Sequence, residues 1–405
     1  MGAKGTEQIV LLTIDRETET VVFTRSDGKE ARFPLERPLF QEASALTKLH
    51  VSGAFDVMVA ETTYGDAISF ELPTAAGAEP LQDRLVVYLD QNKWSEVANS
   101  LYAPEKVSTD SRSAAARLIQ LVRERRIVLP ASAGHYAETG KRFSTEKRYQ
   151  LALTILQQSR GWQMRDPLEV RQQEILSALL RHSGDLSSER ASAVFTLAPD
   201  SLYSAARGYQ GYVPPAGLPP EQALALTALT NASASIDTML DAERVGPGVE
   251  GNWAAHNQRF SDWLDGEPRD TQQKRKSIDA FLLSDIGREA TRVAHAMQMS
   301  PAQFDTWIRQ NATKDITSLP SLGLFREVFH TRHLNRATTW RINDCTDMMY
   351  LSCAAAYADF VVCERHMRQH LSHGLRRMKS GTQVFRHLHE VVDAIEKRWA
   401  QPERP

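Results

Sequence analysis

The sequence predicts an α/β protein: a parallel sheet with flanking helices, interrupted by a large helical insertion and preceded by a small β-rich domain. Three observations carry this reading. Continuous apolar runs at residues 85–89 and 127–129 are separated by helical patterning. Strand patterning then disappears from about Lys147 to Arg341, and it returns at residues 360–363. Alternating strands and helices require parallel strands joined by helical crossovers, and an apolar run without alternation reads as a strand covered on both faces.

In chain order, residues 9–14, 20–25 and 31–34 are short β-prone runs, with Ser26-Asp27-Gly28 as a hairpin signal between the last two. A second pair, 54–62 and 67–72, surrounds Tyr64-Gly65-Asp66, and residues 73–80 read as a linker. Beyond it, 85–89 is a buried strand ending at Asp90, 94–101 and 111–125 are helical, 127–129 is a second strand closed by Pro130, and 132–139 is a short helix. Residues 149–158, 168–181, 220–244 and 278–297 show helical spacing; in the last, Ile278, Phe281, Leu282, Ile286, Ala290, Val293 and Met297 form a core-facing stripe. Ser300-Pro301-Ala302-Gln303 is a helix start, with serine at the cap and proline at the first position. The α/β pattern resumes with a helix over 343–357, a strand over 360–363, a helix over 365–379, a last strand over 382–385 and a helix over 388–399. The resulting divisions are 1–75 (β-rich), 82–149 and 341–400 (two parts of one α/β domain) and 150–340 (helical insertion).

Composition excludes several classes. Of 405 residues, 42% are hydrophobic and 24% charged, which argues against disorder and low complexity. The apolar runs fall far short of the ~20 residues that cross a bilayer, and the N-terminus resembles no signal peptide, so a cytoplasmic protein without a membrane partner is expected. Cys345, Cys353 and Cys363 form no C-x-x-C pair and no even-numbered framework, so buried thiols are expected instead of a zinc ribbon. With a net charge of −2, any basic surface for nucleic acid has to be local.

Ligands of open α/β sheets sit at the carboxyl ends of strands. Asp90 and Glu364 each follow a strand, Glu138 follows the second strand on a short helix, and Asp344 and Asp347 open the 343–357 helix. Asp344 and Asp347 also suit a reciprocal helix cap, and Asp359 suits a helix end or strand start. Carboxylates gathered at one sheet edge repel each other unless cations sit among them. With no Cys/His cluster beside them, Mg²⁺ or Mn²⁺ is the expected cation, poised to orient a water and stabilise charge on a phosphate.

In this order and placement the motifs resemble those of PIN-domain nucleases. The string Val87-Tyr88-Leu89-Asp90-Gln91-Asn92 is similar to the family's opening, and Glu138 to its helical glutamate. Asp347, before the small-residue helix, and Glu364, after Phe360-Val361-Val362-Cys363, are similar to its later acids. The resemblance covers roughly 85–149 and 340–399, less than half the chain. It implies a PIN-like, Mg²⁺- or Mn²⁺-dependent nuclease, more often an endoribonuclease. Asp90, Glu138 and Asp347 would be ligands, with Asn92 steadying Asp90 or a metal-bound water. Glu364 stands where the family has aspartate, with Asp344 as a candidate to share its role. The long insertion is also atypical.

Between Arg365 and His389 the sequence has no acid, but carries Arg365, Arg368, Arg376, Arg377, Lys379 and Arg386, with Arg332, Arg336 and Arg341 leading into the acidic helix and extending the strip. Such a strip suits a phosphate backbone, or simply a solvated helix face. His366, His370 and His373 share one helical face at a spacing that suits zinc but bring no carboxylate partner, and His135 lies one turn before Glu138. No Walker loop, G-x-S-x-G elbow or dinucleotide fingerprint appears. Two alternatives stand beside the nuclease: a catalytically inactive PIN-like nucleic-acid-binding or assembly subunit, and a scaffold whose acids cap helices while the insertion mediates oligomers or a protein partner.

Overall fold

Six strands open the chain: β1 (Ile9–Asp15), β2 (Thr20–Arg25), β3 (Glu30–Pro34), β4 (Leu46–Ser52), β5 (Val57–Thr62) and β6 (Ala67–Glu71). In this computed structural model, which describes residues 8–35, 44–73, 81, 83–142, 144–184, 193–199, 201–203, 210–241 and 252–400, they form one antiparallel sheet ordered β3-β2-β1-β4-β5-β6. Most of the expected linker at 73–80 lies outside the described residues. The second hairpin is shorter than its pattern suggested, starting at Val57, and β4 is a strand the sequence pattern did not announce. Its buried residues are Leu46, Leu49 and Val51, and the register shifts between Leu46 and Lys48. An irregularity there breaks the strict two-residue period by which strands are recognised.

This sheet is not walled off from the rest. Its core residues run continuously into those of the following helices and of the parallel sheet. Glu71 at the end of β6 is buried, and it accepts from Arg84 (2.9 Å), Arg160 (3.1 Å) and Trp162 Nε1 (3.3 Å), tying the sheet to the next lobe. Gly161 follows Arg160 with φ +87°, and a Cβ there would stand 2.8 Å from the Glu71 carbonyl, so only glycine suits this crossing.

The α/β part begins with β7 (Leu85–Leu89), α1 (Gln91–Tyr102), α2 (Thr109–Arg123), β8 (Ile127–Val128) and α3 (Ala133–Gly140). The insertion follows as α4 (Thr145–Ser159), β9 (Gln163–Met164), α5 (Pro167–Ser183), β10 (Phe195–Thr196), α6 (Pro220–Leu240), α7 (Trp253–Gly266), α8 (Thr271–Ala296), α9 (Pro301–Gln310), α10 (Ala312–Ser318) and α11 (Pro320–Leu334). The chain returns to the sheet with α12 (Asp344–Tyr357), β11 (Phe360–Val362), α13 (Arg365–Met378), β12 (Gln383–Phe385) and α14 (Leu388–Ala400). Strands do not vanish from the insertion: β9 and β10 form a two-residue antiparallel ladder, too short for a hydrophobic period to reveal. The stripe on α8 faces the core as expected, with Ile278, Leu282, Ile286 and Ala290 buried, and Ser300 with Gln303 makes the expected capping box of α9.

The parallel sheet has the order β12-β11-β7-β8, with every pair parallel. All five residues of β7 are buried, as a strand covered on both faces requires. From β7 the chain moves to one side for β8 and, after the insertion, to the other for β11. The strand order therefore reverses between β7 and β11, where open α/β sheets place their ligand crevice. No described helix is long and apolar enough to cross a membrane. Cys353 and Cys363 are buried thiols, as expected, whereas Cys345, in the first turn of α12, is only half-buried.

Two buried polar networks carry the insertion onto α12. The Glu174 carboxylate of α5 accepts from the Ser321 and Leu322 backbone N–H groups (2.7 and 2.8 Å) at the start of α11, and from the Tyr357 hydroxyl (2.6 Å) at the end of α12. No side chain at the α11 cap position serves those N–H groups, so Glu174 does. We expect Glu174→Ala to cost about 2–4 kcal/mol in a denaturation measurement, since two buried backbone donors and the Tyr357 hydroxyl lose their acceptor. In the second network Trp340 Nε1 donates to Ser261 Oγ (2.9 Å), which bonds His333 Nδ1 (2.8 Å), while His333 Nε2 meets Asn257 Oδ1 (3.1 Å). All four residues are buried. The ring of Trp340 then carries the Arg332 guanidinium, 4.6 Å from its centroid, just ahead of α12.

Candidate functional site

The carboxyl ends of β7 and β11 deliver two acids to one place. Asp90 follows β7 and caps α1, accepting the Gln91 N–H (2.8 Å). Its own N–H donates to the Val362 carbonyl (2.9 Å), and its carboxylate also accepts from the backbone of Glu364. Glu364 caps α13 without using its side chain for the cap. That side chain is exposed and accepts from Asn92 Nδ2 at 2.7 Å. Asn92 thus bonds Glu364 and not Asp90, the first of the two roles the resemblance implied for it; Asp90 is held by two backbone donors, which leave acceptor sites of its carboxylate open. We expect Asn92→Ala to lower any metal affinity of the site by about tenfold, the usual scale for a lost supporting group, measurable by Mn²⁺ titration.

Glu138 on α3 and Asp347 in the first turn of α12 complete the group. A narrow cleft lies among Asp90, Glu138, Asp347, His135, Tyr88 and Tyr350, with a free volume of about 10 Å³, room for roughly one water-sized occupant. α3 passes close to α12 at Gly134, where a Cβ would stand 3.4 Å from the Tyr350 ring, in contact with it.

The electrostatics follow from burial and crowding. Burial raises the Asp90 carboxyl to about 6, with Glu364 adding to the rise and the Gln91 N–H opposing it. Glu138 rises to about 7, through burial and then the Asp90 charge, against Lys141 and Arg142. Asp347 also rises to about 7, through burial and then the charges of Asp90, Glu138, Asp344 and Glu364. Three acids thus meet at one sheet edge, each made harder to ionise by its neighbours. Among the described residues no three Asp, Glu, His or Cys side chains stand converged on a single ion position. The donor chemistry is nevertheless all carboxylate oxygen, which suits Mg²⁺ or Mn²⁺ and not a softer ion. A hard cation would also relieve the mutual repulsion.

Asp344 lies close enough to raise Asp347, but its own carboxylate is occupied by Arg332 (2.5 Å) and the Arg341 N–H (2.7 Å). Neither Asp344 nor Asp347 forms the reciprocal cap that their spacing allowed: Asn343 holds the cap position, with no side-chain cap bond. Asp359 lies at the other edge of the sheet, accepting the Val86 N–H (2.9 Å) and pairing with Arg398 (3.2 Å), a structural role.

His135 is buried, stacked on Tyr88 with ring centroids 5.2 Å apart. Its Nδ1 accepts the Ser132 N–H (3.1 Å), so the hydrogen of the neutral ring is on Nε2, and burial lowers its pKa to about 3. A ring in that state is neither a base nor a metal ligand; it forms a wall of the cleft.

The basic residues divide by position. Arg365 opens α13 and lines an exposed groove of about 580 Å³ with Asn92, Lys93, Glu364, His366 and Arg386, directly beside the acids. Arg341 is exposed on the approach to α12. Arg368 donates Nε to the Val384 carbonyl (3.2 Å). Arg376, Arg377 and Lys379 stand at the far end of the 14-residue α13, roughly 18–22 Å along its axis from Glu364 at 1.5 Å per residue. There Arg377 pairs with Glu327 of α11 (3.0 Å), an acid that no local stretch of sequence places near it. Of the three histidines on α13, His366 and His370 bring their Nε2 atoms to 3.1 Å.

No family model, no curated protein and no solved structure matches the chain. Sequence reasoning missed Gln91, which holds Thr139 (2.9 Å) on the glutamate-bearing helix, and read Arg332 as part of the basic strip, whereas it holds Asp344.

Proposed function

We propose that this protein is a PIN-like, Mg²⁺- or Mn²⁺-dependent nuclease that hydrolyses phosphodiester bonds, more specifically an endoribonuclease. The observation that carries the reading is the meeting of Asp90, Glu138 and Asp347 in one cleft at the reversal of a parallel sheet, with Glu364 at its mouth. In this reading Asp90, Glu138, Asp347 and Glu364 hold the cation, and Asn92 keeps Glu364 in place. A bound Mg²⁺ or Mn²⁺ supplies an activated water and neutralises charge developing on the phosphate. Lys93, Arg365 and Arg386 in the adjoining groove hold the backbone phosphates. Tyr88 and His135 exclude bulk water from the inner wall, which strengthens the electrostatics of the cleft.

The test is cleavage of single-stranded and structured RNA and DNA with Mn²⁺, Mg²⁺ or EDTA, comparing wild type with Asp90→Asn. Metal-dependent cutting of RNA, lost in the variant, is the expected result. Salt-sensitive RNA binding without cutting under every metal condition would support the inactive binding subunit instead.

A further inference from the structure

The pair His366–His370 on α13 lies outside the acidic cleft and is not used by the proposed chemistry. The two residues are one helical turn apart and hydrogen-bonded to each other, Nε2 to Nε2 at 3.1 Å, with rings at 82°. Two imidazoles that bind one ion at metal–nitrogen distances of about 2.0–2.1 Å hold their nitrogens about 2.9 Å apart at a right angle and about 3.3 Å apart at a tetrahedral one. The observed separation falls between these limits. The helix beneath is held firmly: Met367, Leu371, Gly374 and Leu375 are buried, and a Cβ on Gly374 would stand 2.6 Å from the Leu324 side chain of α11. His366 is exposed and His370 half-buried, so the pair is open to solvent. Two cations face the pair: Arg332 from α11, which is bound to Asp344, and Arg341, which acts on His366 against the charges of Asp344 and Glu364.

We propose that His366 and His370 form a two-imidazole clamp for a borderline transition-metal ion (Ni²⁺, Cu²⁺ or Zn²⁺), with water completing the coordination, separate from the acidic cleft. Imidazole nitrogen prefers these ions over Mg²⁺, whereas carboxylates alone do not select them. The clamp stands whether or not the acids act as a nuclease centre. His366 also lines the groove beside Glu364, so a bound ion adds positive charge to that groove.

The test is calorimetric titration of the untagged full-length protein with Ni²⁺ in the presence of excess Mg²⁺. Wild type is compared with His370→Ala, His366→Ala, His373→Ala, His387→Ala and Asp347→Asn, each checked for folding by circular dichroism. One site is expected in wild type, weakened about tenfold or more in the first two variants and unchanged in the other three. Undiminished binding in His370→Ala, or no binding in wild type, would overturn the clamp. His387 and His389 form a second histidine pair, their rings stacked with centroids 5.3 Å apart at the start of α14. Loss in His387→Ala would move the site to that pair, and loss in Asp347→Asn would move it into the acids; either result would also overturn it. Loss of RNA cleavage in Asp90→Asn with Ni²⁺ binding intact separates this proposal from the nuclease reading.

Discussion

Asp347→Asn is expected to stabilise the metal-free protein at pH 8. The folded carboxyl of Asp347 is raised to about 7 by burial and by four neighbouring carboxylates. The sign follows directly: a raised acid binds its proton more tightly folded than unfolded, so stability is greatest below the unfolded value near 4. It falls as pH rises and is at its lowest above about 7. Glu138 at about 7 and Asp90 at about 6 act in the same direction. Asparagine removes one charge from the cluster, so the gain at pH 8 should be on the order of 2–4 kcal/mol, shrinking to near zero at pH 4. Thermal or urea denaturation in EDTA across that range reads it. A wild type that grows more stable from pH 5 to pH 8 would show that these acids are not crowded in solution.

Glu138→Gln carries the second large effect. Glu138 comes from α3, so its reach into the cleft depends on the close pass of α3 by Tyr350 and on the Gln91–Thr139 bond, and α3 carries no second acid to replace it. On the nuclease reading, its loss should lower the cleavage rate by at least about 10²-fold, beyond the 10–100-fold typical of supporting groups. The wild-type rate should rise with pH up to about 7, as Glu138 and Asp347 release the protons that compete with the metal. Saturating metal should shift that rise to lower pH. Cleavage unaltered in Glu138→Gln would remove this residue from the centre.

Much of the α/β framework was legible because its signals are local. A wholly apolar run identifies β7, and a serine-proline start with glutamine marks α9. Asp90 and Glu364 could be placed together because strand ends of a parallel sheet share an edge, a rule of topology and not of contact. The failures have equally physical causes. β4 was hidden by an irregular register and β9–β10 by their length. The partner of Asn92 is 272 residues away, and that of Asp344 is an arginine at the end of the insertion, so neither bond has a sequence period to betray it. The basic strip was correct as composition, but α13 carries half of it away from the acids and sets Glu327 against Arg377.

The most direct test of one shared centre is Mn²⁺ binding at pH 8, followed by electron paramagnetic resonance or calorimetry, in wild type and Asp347→Asn. Saturable Mn²⁺ binding in wild type that is lost or weakened at least about tenfold in Asp347→Asn is predicted, accompanied by a rise in wild-type melting temperature with added Mn²⁺. Equal Mn²⁺ binding by both proteins, or none by a folded wild type, would contradict the account.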